Sequence, residues 1–219
     1  MKRVLLISAH PDDMEIGMGG TVAKLSESGH TIVSVILTDG RRAPNPFTLP
    51  PERMAEVRQQ ESERAASILG VNEAIFFELE SISTKENYSS AIKKLVKIID
   101  SILPDQIYTL HPELDRHPSH ALTGKVTLEA LKQSNQASHI EVWAYEVWGL
   151  FNSWDRFEDI TNQIGKKLMA IREHQSQLAA IPYAEGVAGL NRWRAVFADP
   201  QQTNAQATFA EVFLKLKLL

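Results

Sequence analysis

Two short stretches concentrate the side chains that can do chemistry. The first is Ala9-His10-Pro11-Asp12-Asp13-Met14-Glu15, with one histidine and three acids inside six residues. Directly after an apolar run, so much charge costs desolvation unless something uses it, and a divalent cation would. His10 and Asp13 lie three apart, so on a turn both can face one ion while Asp12 points elsewhere. A plainer alternative is a solvated loop whose aspartate caps the next helix. The second stretch, His111-Pro112-Glu113-Leu114-Asp115-Arg116-His117-Pro118-Ser119-His120, holds three of the seven histidines of the chain. It too could be a His-rich surface loop. If it is not, His120 at a helix start can supply a third ligand, and a His-His-Asp set leaves a position open for water, as a catalytic zinc needs. The chain has no cysteine, so thiolate sites and disulfides are excluded and any metal must be held by His, Asp or Glu.

Side chains more than a hundred positions apart converge only if the fold brings them together. Arg3–Ser8 is a short apolar run suited to a buried parallel strand. Thr31–Thr38, Ala74–Leu79, Gln106–Leu110 and Ile140–Val147 read as further strands, and Ala207–Leu216 as a last one on an edge. Between them, helical spacing of apolar residues predicts helices over Ile16–Ser28, Glu52–Leu69, Asn87–Leu103 and Ser119–Gln133. Another is marked by Ile164, Leu168, Ile171 and Leu178. Gly29, Gly70 and Pro104 supply stops. Alternation of this kind predicts an α/β fold with a mostly parallel sheet and helices on both faces. Ligands in such folds sit beyond the carboxyl ends of the strands, and both charged stretches directly follow a predicted strand. The loop Gly40–Pro51 lies at that same edge, where it can cover the site.

Length and charge narrow the function. At 219 residues the chain suits one domain, 1–219, since single cores stop growing near 250–300 residues. A net charge of −4 offers no general grip on nucleic acid or on an anionic membrane, and fits a small-molecule substrate better. No apolar stretch approaches the roughly 20 residues needed to cross a bilayer. The run before His10 is too short for a signal-peptide core, so a soluble cytoplasmic protein is expected.

The first motif, continued through Ile16-Gly17, resembles the opening motif of the LmbE/PIG-L-like deacetylases, and Asp115-Arg116-His117-Pro118-Ser119-His120 resembles their second motif, His-Pro-Asp-His. Thr38-Asp39-Gly40, Arg58–Gly70, Tyr145-Glu146-Val147-Trp148 and Lys167–Gln177 are similar to further parts of that family. The resemblance implies a Rossmann-like three-layer fold, one zinc ion or another divalent metal per chain, and removal of the acetyl group from an N-acetylglucosamine-type substrate. Carried over residue by residue, His10, Asp13 and His120 match the metal ligands and Asp12 the general base. His117 matches the residue that stabilises the charged intermediate, and Arg58 a substrate-contacting arginine. A homo-oligomer also fits family habit.

One departure stands out: the usual aspartate between the two histidines is Ser119. His117 is then expected to be less basic, with Asp115 or Glu113 as substitute partners. Glu15 is expected to support His10, or else to serve as a first-turn helix acid. Arg58 has a plain alternative as an exposed helix residue, and His111 is expected to be structural. Trp143, Trp148, Trp154 and Trp193 could stack on a sugar but are usually core or interface residues. Gly17-Met18-Gly19-Gly20 fails the dinucleotide-binding spacing. Rival readings are a metal-dependent hydrolase of another amide or ester, and a metal-binding homologue with weakened catalysis.

Overall fold

The structure is a computed structural model that describes residues 1–136, 139–196 and 207–217. Seven strands form one sheet: β1 (Arg3–Ser8), β2 (Thr31–Thr38), β3 (Glu73–Leu79), β4 (Gln106–Leu110), β5 (Glu141–Tyr145), β6 (Arg156–Asp159) and β7 (Ala210–Leu216). The helices among the described residues are α1 (Asp13–Glu27), α2 (Pro51–Leu69), α3 (Lys85–Ile102), α4 (Pro118–Gln133), α5 (Ile164–Glu173), α6 (Gln175–Leu178) and α7 (Tyr183–Val196). The sheet order is β3-β2-β1-β4-β5-β7-β6. The first five strands pair in parallel, and β7 runs antiparallel to both β5 and β6.

The pleat of β1 separates the two cores. Val4 and Leu6 pack with Met14, Met18 and Val22 of α1, Ala65 and Leu69 of α2 and Ala170 of α5. Leu5 and Ile7 point the other way, to Ala91, Leu95 and Ile99 of α3 and Val126, Ala130 and Leu131 of α4. A strand covered on both faces reads as a continuous apolar run because alternate residues serve different cores. The expected three-layer α/β architecture is therefore the observed one.

The chain winds outward from β1 to β2 and β3 on one side, and through β4 to β5 on the other. The sheet thus reverses direction between β1 and β4, and the carboxyl ends of those two strands flank the crevice where such folds take ligands. Both charged motifs leave the sheet there.

Two expectations need correction, and two elements gave no readable signal. The last strand is not an edge: β7 sits between β5 and β6, with residues 210–213 buried. β6 takes the edge instead, and it escaped the sequence reading because Arg-Phe-Glu-Asp shows no apolar alternation. Helix α7 was also missed, since Gly186 and Gly189 and an exposed Trp193 blur its apolar stripe. α1 begins at Asp13 rather than Ile16 and kinks at Met18, where φ and ψ are −145° and 19°. Gly70 ends α2 in the left-handed conformation, as expected.

Candidate metal centre and active site

The loop after β1 is organised by Asp13. Its Oδ2 accepts the backbone N–H groups of Ala9 (2.9 Å) and His10 (2.8 Å), which leaves Oδ1 facing His120 Nε2 at 3.1 Å. His10 Nδ1 lies 3.1 Å from His120 Nε2 and 3.6 Å from Asp13 Oδ2. His117 completes a second, overlapping set, because one ring nitrogen from each of His10, His117 and His120 falls within 4.8 Å of the others. The helix start of α4 brings His117 and His120 into one cluster, and the ring centroids of His10 and His117 are 4.9 Å apart.

The separations suit a shared cation. A tetrahedral ion with bonds of about 2.0–2.1 Å holds its ligand atoms roughly 3.3 Å apart. The His10–His120 and Asp13–His120 contacts, both 3.1 Å, are close to that spacing, while His10 lies 3.6 Å from the other Asp13 oxygen; two histidines with a carboxylate suit zinc and several other divalent metals.

Outer contacts orient the rings. Ser119 Oγ lies 2.9 Å from His10 Nε2 and 2.8 Å from His117 Nδ1, bridging them. Asp115 Oδ2 stands 3.1 Å from His120 Nδ1, an ion-pair distance rather than an aligned hydrogen bond. Asp115 Oδ1 accepts the backbone N–H of His117 at 2.9 Å. Burial opposes charge on the Asp13 carboxyl, but His120 and His10 outweigh it and hold that carboxyl well below the usual range. For His120, burial is likewise outweighed by Asp13 and Asp115, and its imidazole is raised to about 10. His117 moves the other way, below its usual value, through burial and then the neighbouring His10 and His120.

Asp12 occupies the N-cap position of α1, yet its side chain makes no capping hydrogen bond. It faces Arg58 Nη2 at 2.9 Å instead. Arg58 is not an exposed helix residue: it is 2% exposed, and Nη1 donates to the Gly40 carbonyl at 3.2 Å. Gly40 has φ +72°, and a Cβ there would collide with the Arg58 guanidinium. The turn after β2 therefore needs glycine twice over. Three residues on from Arg58, Glu61 accepts Ser176 N–H (2.8 Å) and Oγ–H (2.7 Å), tying α2 to α6. The Arg-x-x-Glu spacing thus serves two anchors, one toward Asp12 and one toward the last helices.

Glu15 does not support His10. Its carboxylate lies 3.6 Å from His174 Nε2, and the His10 ring meets Ser119, His120 and Asp13 instead. The turn of α1 that follows Asp13 directs Glu15 toward α5, where His174 caps the helix. His111 is structural as expected, since its Nδ1 accepts the backbone N–H groups of Glu113 and Leu114.

A cavity of about 590 Å³ opens over the histidines, with Asp12, Arg58 and Trp148 in its wall. It also exposes Arg42, Glu80, Ser81 and Ser83, and the loop after β2 that was expected to cover the site contributes Arg42 to Pro44. Gln177 and Tyr183 also line it. Tyr183 was missed because nothing in Ile181-Pro182-Tyr183 signals chemistry without the fold. No helix among the described residues is long and apolar enough to cross a membrane.

Comparison with known proteins shows the family. The sequence pattern of the PIG-L family, described as GlcNAc-PI de-N-acetylase, matches residues 5–131. Diacetylchitobiose deacetylase of Thermococcus kodakarensis is 30% identical over 190 residues, covering 81% of this chain and 70% of that protein. The N,N'-diacetylchitobiose deacetylase structure from Pyrococcus horikoshii superposes with a TM-score of 0.83 at 26% identity, covering 98% of this chain and 84% of that one. The 4-carboxy-2-hydroxymuconate hydratase GalB from Pseudomonas putida also reaches 0.83, at 21% identity and with 99% and 97% coverage. Two equally close shapes thus carry names of different reactions, and the fold alone does not choose between them. The sequence pattern spans both charged motifs, and the chain belongs to the PIG-L family.

Proposed function

We propose that the protein is a divalent-metal N-deacetylase acting on an N-acetylglucosamine-type substrate or conjugate, with His10, Asp13 and His120 holding the metal, zinc by preference. The observation that carries this reading is the convergence of His10 Nδ1 and Asp13 Oδ1 on His120 Nε2, each at 3.1 Å, beside a second carboxylate, Asp12, that faces Arg58 instead. The named activities of the 30%-identical relative and of the 26%-identical structure favour an acetylated amino-sugar over other amides.

When bound, the ion supplies a water of lowered pKa and polarises a carbonyl oxygen. Asp12, gripped at Oδ1 by Arg58, takes the attacking water's proton and returns it to the leaving nitrogen. Water and the acetamide thereby become a free amine and acetic acid. A positioned base of this kind is worth ~10²–10⁴-fold in rate. Arg58 positions Asp12 in this scheme rather than gripping substrate alone.

Ser119 sets which nitrogen of His117 carries the proton. With His10 Nδ1 directed at the metal, His10 Nε2–H donates to Ser119 Oγ, and the Ser119 hydroxyl donates to His117 Nδ1. The His117 proton then sits on Nε2, where it donates to the oxygen on which charge develops. A neutral donor suits the lowered pKa of this ring.

The test is amine release from N-acetylglucosamine conjugates by the zinc-loaded protein. Release should vanish on chelation, return with added ion, and be absent from His10→Ala and His120→Ala. Release that persists in fully chelated protein would overturn the reading. Turnover only of other amides or esters would leave the metal site standing and replace the substrate.

A further inference from the structure

Trp148 is 45% exposed, unusual for so large an apolar side chain, yet its backbone is fixed. Its N–H donates to Asp115 Oδ2 at 3.1 Å, and the Gly149 N–H donates to the same oxygen at 3.2 Å. A Cβ on Gly149 would collide with the Leu114 carbonyl, so the two loops press together there. The indole lies 6.1 Å from the His117 ring, tilted by 53°, in the wall of the cavity. Asp115 is also the group that faces His120 Nδ1 and accepts the His117 N–H. One buried carboxylate thus faces His120 and holds the backbone of His117 and the backbone that carries the exposed indole.

We propose that Trp148 is the platform on which the pyranose ring of the substrate stacks, holding its apolar C–H face while the acetamido group lies between Asp12 and His117. The proposal rests on the deacetylase reading and names how that site selects a ring. A pyranose has apolar faces and a hydroxyl-bearing edge. The cavity matches it with an indole beside the reacting groups and with Arg42, Glu80, Ser81 and Ser83 elsewhere in its wall. A tryptophan on a backbone held before binding contributes a large contact area with few side-chain torsions to order. Trp148 therefore determines specificity and does not take part in the proton transfers.

The experiment compares wild type, Trp148→Phe and Trp148→Ala on two substrates. One is N,N'-diacetylchitobiose, and the other is N-acetylethanolamine, an acetamide without a ring. In Trp148→Ala the KM for the sugar should rise about tenfold or more with kcat little changed. Trp148→Phe should recover most of the loss, and the ring-free amide should be indifferent to both changes. Calorimetric binding of glucosamine, read independently of turnover, should weaken in parallel. An unchanged sugar KM and binding in Trp148→Ala would overturn the proposal, as would an equal loss on the ring-free amide. A shift in sedimentation showing that the indole instead joins two copies would overturn it too. Wild type that binds glucosamine but releases no amine from any conjugate would count against the deacetylase reading, and binding lost in Trp148→Ala would still support the platform.

Discussion

Ser119 sits between two rings, and its hydroxyl can offer only one proton to the pair. An aspartate there would accept from both rings and favour a charged His117, whose imidazole is now held below its usual range by burial and by its histidine neighbours. Ser119→Asp should therefore raise kcat several-fold at neutral pH; an unchanged kcat would show that His117 basicity does not limit the rate. At this scale the sequence was informative where residue type itself dictates chemistry. His10, Asp13 and His120 stand out as candidates because few side chains bind a metal, whereas the role of Asp12 rests on the family resemblance. Arg58 and Glu15 were harder, because what they do depends on partners from other elements. Arg58 reaches Asp12 from α2, and Glu15 turns to His174 at the end of α5.

Elements deliver these groups by their ends. β1 and β4 finish side by side, and the turns that follow carry the two histidine motifs into α1 and α4. Their strand character was plain from apolar runs buried on both faces. β6 and α7 were not, since a short edge strand and a glycine-containing helix carry little periodicity. Behind the site, His174 joins α5 to α6 and faces Glu15 of α1, with both residues buried. Burial lowers the affinity of the His174 ring for a proton, but Glu15 outweighs it and the net pKa is raised. A raised folded-state value contributes stability that is fully present below the unfolded value of about 6.5 and is lost as pH rises through the folded one. Urea unfolding of wild type and His174→Gln should accordingly differ most below about pH 6.5 and converge only as pH rises through the raised folded-state value. A gap independent of pH would mean that packing, not the ion pair, is what His174 provides.

Across the whole molecule, the parallel half of the sheet holds the chemistry and the antiparallel half braces it. Lys167 on α5 and Glu211 on β7 form a fully buried pair at 2.6 Å. Glu211 also accepts the Gly20 and Thr21 N–H groups and the Thr21 hydroxyl of α1. That carboxylate stitches α1, which begins in the metal motif, to the C-terminal strand. Removing one partner of such a pair strands the other's charge, so Lys167→Met should cost about 3–5 kcal/mol in urea unfolding. A loss under ~1 kcal/mol would mean that the hydrogen bonds from α1 satisfy Glu211 by themselves. The most direct test of the central claim, that metal holding and proton transfer fall to different residues of one site, is metal content measured together with amine release for wild type, Asp13→Ala and Asp12→Asn. About one equivalent of metal should remain in Asp12→Asn with release down ~10²–10⁴-fold, and metal should be lost from Asp13→Ala. Near-normal release by Asp12→Asn, or full metal content in Asp13→Ala, would contradict the account.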